Sequence, residues 1–132
     1  VNADNSPLVD TDVWIDFLRG VPKAVTFIAT LPHNVCVSSI SVAELFAGVR
    51  DGQETQALTK LLDTLEIIEL NRSIAQTGGL IRRDFGKSHG LGLNDALIAA
   101  TAIHAKACLY TLNIKHYPSL SKNQVAQPYR KA

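Results

Sequence analysis

The sequence predicts an α/β protein, a three-layer α/β/α sandwich around a mainly parallel central sheet. Two observations predict it. Short apolar runs alternate with stretches of helical periodicity along the whole chain, which is the pattern of parallel strands joined by crossover helices. Three carboxylates, Asp10, Glu44 and Asp95, each lie where an apolar segment meets a helix start. In one parallel sheet the carboxyl ends of the strands share an edge, so residues far apart in sequence converge there.

The elements follow in order. Residues 7–9 form a short apolar strand. Residues 11–19 have helical spacing, closed by Gly20, with Val13, Trp14, Phe17 and Leu18 on one side. Pro22 starts a second helix that carries Val25, Phe27, Ile28 and Leu31 and ends near Pro32. Residues 34–38 alternate as a strand, and residues 40–50 read as a helix ended by Asp51 and Gly52. Residues 55–65 repeat the helical pattern, and 66–70 are a further strand. Asn71 caps the next helix, whose stripe is Ile74, Gly78, Ile81 and Phe85. Residues 95–107 are apolar nearly all round, so that helix is buried against the sheet. Residues 108–111 are a strand, and Val125-Ala126 is a last edge strand.

The chain has 132 residues and 46% hydrophobic residues, enough for one domain with a real core. The expectation is a single domain, 1–132, with residues 1–6 as a poorly ordered lead-in. With 13 Lys and Arg against 12 Asp and Glu, the net charge of +1 excludes a simple polycationic nucleic-acid binder. The charges are uneven. Residues 1–18 hold four Asp and no Lys or Arg, whereas residues 96–132 hold no Asp or Glu. Early acid and late base suit an acidic pocket rimmed by cations, or two solvated faces. Cys36 and Cys108 lie in apolar runs and read as buried thiols of a reducing cytoplasm rather than a disulfide. No apolar run is long enough to span a membrane, and no signal peptide is evident, so the expected location is cytoplasmic.

Each acid has a structural alternative. Asp10 suits an N-cap. Ser41 and Glu44 have the spacing of a capping box. Asp95 complements a helix dipole, with Asn94 as cap. Together the acids point elsewhere. Several carboxylates in one space repel unless a cation neutralises them, and hard oxygen ligands select Mg²⁺ or Mn²⁺. Such an ion serves phosphodiester hydrolysis. Asp16 reads as a solvated helix residue. His33, His89 and His104 read as surface or core residues without a site role.

Four motifs then carry a resemblance. Leu8-Val9-Asp10-Thr11-Asp12-Val13-Trp14-Ile15-Asp16 resembles the opening of PIN-domain ribonucleases. Ser38-Ser39-Ile40-Ser41-Val42-Ala43-Glu44-Leu45-Phe46-Ala47-Gly48 is similar to their second motif, and Leu91-Gly92-Leu93-Asn94-Asp95-Ala96-Leu97-Ile98-Ala99-Ala100-Thr101-Ala102 to their third. Leu109-Tyr110-Thr111-Leu112-Asn113-Ile114-Lys115-His116-Tyr117 resembles the fourth. The order and spacing cover residues 7–117 and point to the VapC-type toxins of toxin–antitoxin pairs.

The resemblance implies a PIN-like fold and a cytoplasmic endoribonuclease that uses metal-activated water on structured RNA such as tRNA or rRNA. It implies Asp10, Glu44 and Asp95 as catalytic and metal-binding acids, with Thr111 and Asn113 lining the pocket. It implies two partners, a second copy of the chain and a VapB-type antitoxin. Two positions depart from the family. Asp12 stands where Asn is usual, adding charge or keeping a backbone contact. His116 stands where a fourth acid is common, facing either the pocket or solvent, which leaves a second metal open. Arg19, Lys23, Arg50, Arg82, Arg83 and Lys115 are candidate phosphate contacts. Trp14, Phe17 and Phe27 read as core packing, with an antitoxin groove as the alternative. Two rival readings remain: a PIN-domain RNA-processing nuclease without antitoxin, and a catalytically impaired RNA-binding module.

Overall fold

The computed structural model describes residues 6–131. In chain order the elements are β1 (Pro7–Val9), α1 (Thr11–Leu18), α2 (Pro22–Ala29), β2 (Cys36–Ser38), α3 (Ser39–Gly48), α4 (Gln53–Asp63), β3 (Glu66–Ile68), α5 (Arg72–His89), α6 (Leu93–Ala105), β4 (Cys108–Tyr110), a 3-10 turn (Ile114–His116) and β5 (Val125–Ala126). The strands lie in the order β3-β2-β1-β4-β5. Every pairing is parallel, so the sheet among the described residues is wholly rather than mainly parallel.

The pleat makes three layers from very short strands. Successive side chains point to opposite faces of a sheet. Leu8, Cys36 and Leu109 share one core with Ile74 and Ile81 of α5 and with Ile98, Ala99 and Ala102 of α6. Val9, Val35 and Val37 face the other way, onto Val13 and Trp14 of α1, Leu45 of α3, and Leu58 and Leu62 of α4. The order of strands fixes where a site can form. From β1 the chain runs outward to β2 and β3, then crosses back through α5 and α6 to β4 on the opposite side of β1. That reversal opens a crevice at the carboxyl ends of β1 and β4.

Several boundaries differ from the expectation, for local reasons. α3 starts at Ser39 because Ser38 caps it, its Oγ accepting from Ile40 N at 3.0 Å. Arg50 lies beyond α3 and instead binds Glu54 of α4. α4 starts at Gln53 after Gly52, whose φ is 87°. α6 stops at Ala105 because Lys106 takes a left-handed conformation, φ 53°. β3 ends at Ile68, and Leu70 N donates to Ser39 Oγ at 3.0 Å. Residues 1–5 of the expected lead-in lie outside the described residues. Ser6 is no lead-in: it is buried, its Oγ accepts from Asn34 at 2.6 Å, and its carbonyl accepts from Cys108 N at 3.1 Å. Cys36 and Cys108 are free; Cys36 is buried as expected but Cys108 is only half-buried, and burial pushes the Cys36 thiol up to about 11.

α5 and α6 pack closely through Gly78. A Cβ there would stand 2.5 Å from Leu97 Cδ2 and 3.1 Å from Leu97 Cα, whereas a Cβ at Gly79 meets nothing within 4 Å. Gly→Ala within a helix gains up to about 1 kcal/mol from propensity alone, and overpacking a tight contact costs roughly 1–3 kcal/mol. Gly78→Ala should therefore lower the unfolding free energy and Gly79→Ala should raise it, as read by urea denaturation. The same sign for both would contradict the close approach.

Candidate functional site

Asp10 follows β1 directly, at the crevice. Its backbone N–H donates to Tyr110 O across the β1–β4 boundary at 2.9 Å. It is also the N-cap of α1, with Oδ1 accepting from Thr11 N at 2.7 Å. That leaves Oδ2 for the site, and it accepts from Thr111 Oγ1 and Tyr117 Oη, both at 2.8 Å. The residue is 6% exposed. Burial first, and then the Asp12 charge, push its carboxyl up to about 7, although the donated hydrogen bonds pull it down. Burial, and next the Asp10 charge, hold the Tyr117 phenol far above its ordinary range, so it stays a neutral donor.

Asp12 keeps a backbone contact. Its Oδ1 accepts from Val13 N at 2.8 Å and its Oδ2 from Leu112 N at 3.0 Å, tying the first turn of α1 to the loop after β4. Thr111 Oγ1 stands 3.4 Å from the same Oδ2. Burial raises the Asp12 carboxyl as well.

Glu44 is no capping-box residue, since Ser38 caps α3 and Ser41 lies inside it. Its Oε1 accepts from Thr11 Oγ1 at 2.7 Å. Ser41 Oγ lies 2.8 Å from Thr11 Oγ1. A hydroxyl has one proton, so Ser41 donates to Thr11 and Thr11 donates onward to Glu44. Asn94 Nδ2 reaches Glu44 Oε2 at 3.4 Å. Asn94 is thus inside α6 rather than its cap, which is Gly92.

Asp95 sits in the first turn of α6, where the helix dipole favours a carboxylate. His116 Nδ1 lies 3.0 Å from Asp95 Oδ2, so the departing residue faces the acids rather than solvent alone. Asn113 Nδ2 is 3.1 Å from the same nitrogen. Nδ1 donates to Asp95 when protonated, and takes the Asn113 amide as its donor when it is not.

The structure therefore brings Asp10, Asp12, Thr111 and Tyr117 into one bonded group, with Glu44 joined to it through Thr11. Asp95 and His116 form a second pair, and the Asp95 charge reaches Tyr117. Among the described residues, no three His, Cys, Asp or Glu side chains close on one point. Hydroxyl groups fill the spaces between the acids. Sequence reasoning gave no role to Thr11 or Tyr117 and read Ser41 and Asn94 only as helix caps. All four lie inside the quoted motifs, which was the available signal.

The basic candidates are scattered. Arg19 and Arg50 line, with Glu44, Ile15 and Leu18, a cavity of about 490 Å³. Arg50 is paired with Glu54 at 2.7 Å and Arg83 with Asp84 at 2.8 Å. Lys23 Nζ donates to Arg130 O at 2.8 Å. Arg82 lies against Gly86 on α5, and Lys115 is exposed on the 3-10 turn. Trp14 is a core residue, its Nε1 donating to Val9 O at 3.1 Å. Phe17 and Phe27 are half-buried, against Trp14 and Tyr110 respectively. Asp16 overturns its reading as solvated. It is 2% exposed and accepts from Tyr129 Oη at 2.8 Å. Among the histidines without an assigned role, His33 is exposed and His104 Nε2 lies 2.9 Å from Thr77 Oγ1.

A parallel α/β/α sandwich with an acidic, hydroxyl-braced crevice at its strand reversal is the class that this fold and site define. Sequence comparison narrows it. The PIN domain profile matches residues 8–117, and the chain belongs to that family. Ribonuclease VapC19 of Mycobacterium tuberculosis is 38% identical over 115 residues, 84% of this chain and 91% of the relative. Among solved structures, a toxin–antitoxin complex from Klebsiella pneumoniae aligns with a TM-score of 0.82 at 28% identity, covering 96% of this chain and 100% of that one. VapBC2 from Rickettsia felis, bound to a DNA fragment from its promoter, aligns at 0.75 with 26% identity, covering 92% and 97%.

The raised Asp10 carboxyl has a consequence for stability. The folded state holds this proton up to about pH 7, whereas the unfolded chain releases it near the ordinary aspartate value of 3.8. The folded protein binds more protons in between, so its stability falls as pH rises through that window. In chelator, wild type should lose stability between about pH 4 and 7, and Asp10→Asn should flatten the curve and stabilise the protein at pH 8 by up to ~4 kcal/mol. Thermal unfolding across pH measures this. A variant curve parallel to wild type would show that Asp10 is ordinary.

Proposed function

We propose that the protein is a metal-dependent endoribonuclease and the toxin of a toxin–antitoxin pair, acting on structured RNA of the tRNA or rRNA kind. The observation that carries the reading is the burial of Asp10, 6% exposed beside Asp12, which leaves its charge unbalanced and pushes its carboxyl up to about 7. A cation supplies that balance. The ligand atoms at the crevice are mainly carboxylate and hydroxyl oxygens, with one imidazole, His116, and no thiolate, a set that fits Mg²⁺ or Mn²⁺. The absence of three carboxylates at one point is consistent with this. Mg²⁺ keeps several waters and is held through one or two carboxylates. One or two of Asp10, Glu44 and Asp95 would hold the ion directly, and the rest would act through its waters. When bound, it lowers the pKa of a water and offsets charge on the phosphate under attack.

The chain's own residues do the positioning. Thr111 and Tyr117 fix Asp10 Oδ2, and Asp12 holds the loop that carries Thr111. Thr11 aims Glu44, and His116 aims Asp95. Each acid is thus placed before substrate arrives, which is what preorganised electrostatic stabilisation requires. The curated relative is named a ribonuclease, and the solved neighbours are toxin–antitoxin complexes. Those names support a VapB-type antitoxin as partner, and family likeness supports a homodimer. No helix among the described residues is long and apolar enough to cross a membrane.

Asp10→Asn, Glu44→Gln and Asp95→Asn should each lower RNA cleavage by at least a hundredfold while circular dichroism stays native. His116→Ala should lower it far less, because it removes an aiming contact and no carboxylate. Chelator should abolish cleavage, and Mg²⁺ or Mn²⁺ should restore it. Cleavage that persists in all three acid variants would sink the assignment. Binding of RNA without cleavage would favour the impaired module. Cleavage without toxicity on expression, or toxicity that no neighbouring small protein relieves, would favour an RNA-processing nuclease.

A further inference from the structure

The segment after β5 returns over α1 and α2 and is fastened at three points. Tyr129 Oη donates to Asp16 Oδ2 at 2.8 Å, and Lys131 Nζ lies 3.4 Å from Asp16 Oδ1. The Arg130 carbonyl accepts from Lys23 at 2.8 Å. The Tyr129 ring stands 6.4 Å from Phe27, which stands 5.1 Å from Tyr110 at the end of β4. Asp16 is the post. A carboxylate this buried is costly without partners, and both of its side-chain oxygens are taken by this segment. The two partners are unlike in exposure. The Asp16 side chain is 3% exposed, but that of Lys131 is 65% exposed, so its ammonium keeps most of its donors free. The same charge is felt at the acidic crevice, where it pulls the Asp12 carboxyl down against the larger effect of burial.

We propose that the 129–131 segment is a substrate-positioning strap, fastened by Asp16 so that Lys131 contacts an RNA phosphate beside the acidic crevice. The inference rests on the nuclease reading above. The crevice is rich in carboxylates and would repel the RNA backbone. A cation at its rim, held by a buried post, offsets that repulsion at one phosphate. Arg50 and Arg83 are likewise paired, with Glu54 and Asp84, but the anchor of Lys131, Asp16, lies one helical turn from Asp12 in α1. Lys131 touches substrate in this account. Tyr129 and Asp16 act only by placing it.

The test is RNA affinity and cleavage as a function of salt. Affinity is read in an Asp10→Asn background, and cleavage in the otherwise unaltered protein. Each phosphate contact contributes about 0.7–0.9 to the slope of log affinity against log salt. Lys131→Ala should lower that slope by about one contact. It should raise KM several-fold and leave kcat within about twofold, the pattern of lost uniform binding. Tyr129→Phe, which keeps the ring and removes the fastening, should raise KM in the same direction. Adding it to Lys131→Ala should change little, because both remove one contact. A purely structural strap predicts otherwise: Lys131→Ala would lower the unfolding temperature and leave KM and the salt slope unchanged, and that result would overturn the proposal. If the unaltered protein cleaves no RNA, the nuclease reading fails first. If it cleaves normally and Lys131→Ala shifts nothing, only the strap fails.

Discussion

The structure is organised around one constraint, a carboxylate buried at the reversal of a parallel sheet. Asp10 must follow β1 to stand between β1 and β4, whose chain continuations run to opposite edges of the sheet, and there it is almost wholly shielded from water. No cation among the described residues pairs with its charge. Two hydroxyls and one backbone N–H brace it, and burial still pushes it to about 7. The surrounding residues follow from that strain. Tyr117 and Thr111 are buried because they must donate to Asp10. Asp12 fastens the loop that carries Thr111, and the 3-10 turn brings Tyr117 and His116 beside each other.

The division of labour between carboxylates and hydroxyls explains why the acids can coexist without collapsing into one mutually repelling knot. Each acid is held by a neutral or switchable donor from a different element. Asp10 is held from β4's end, Glu44 from α1 through Thr11, and Asp95 from the 3-10 turn through His116. The donors come from sequence-distant segments, so the crevice forms only when the sheet does. A fold built on strands of two or three residues depends on its helices for stability. The crowded α5–α6 contact at Gly78 and the apolar α6 supply the mass that the short strands lack.

Much of this was legible in the sequence. Alternation of apolar runs and helical stripes fixes the layers, because period 2 and period 3.6 bury different faces. The three acids were visible because each follows an apolar run. Residue roles that depend on the far side of the crevice were less visible. Glu44 looked like half of a capping box because Ser41 stands at the right spacing; only the packing of α3 against α1 shows that Thr11 is its donor. Asp16 looked solvated because its partner Tyr129 lies more than a hundred residues away, and no local pattern signals such a contact. Tyr117 passed as the end of a motif, since an aromatic after a strand is more often core than donor. His116 was undecided until the 3-10 turn fixed which way its ring faces.

The proposed role of Asp10 is that of a protonatable acid that gives up its proton to a divalent cation. Calorimetric titration of Mn²⁺ at pH 6 and pH 8, in buffers of different ionisation enthalpy, tests it most directly. The account predicts tighter binding at pH 8, release of close to one proton per ion at pH 6 and little release at pH 8. It also predicts that Asp10→Asn abolishes both the binding and the proton release. Binding of equal strength at the two pH values with no proton released, or binding that survives Asp10→Asn, would contradict it.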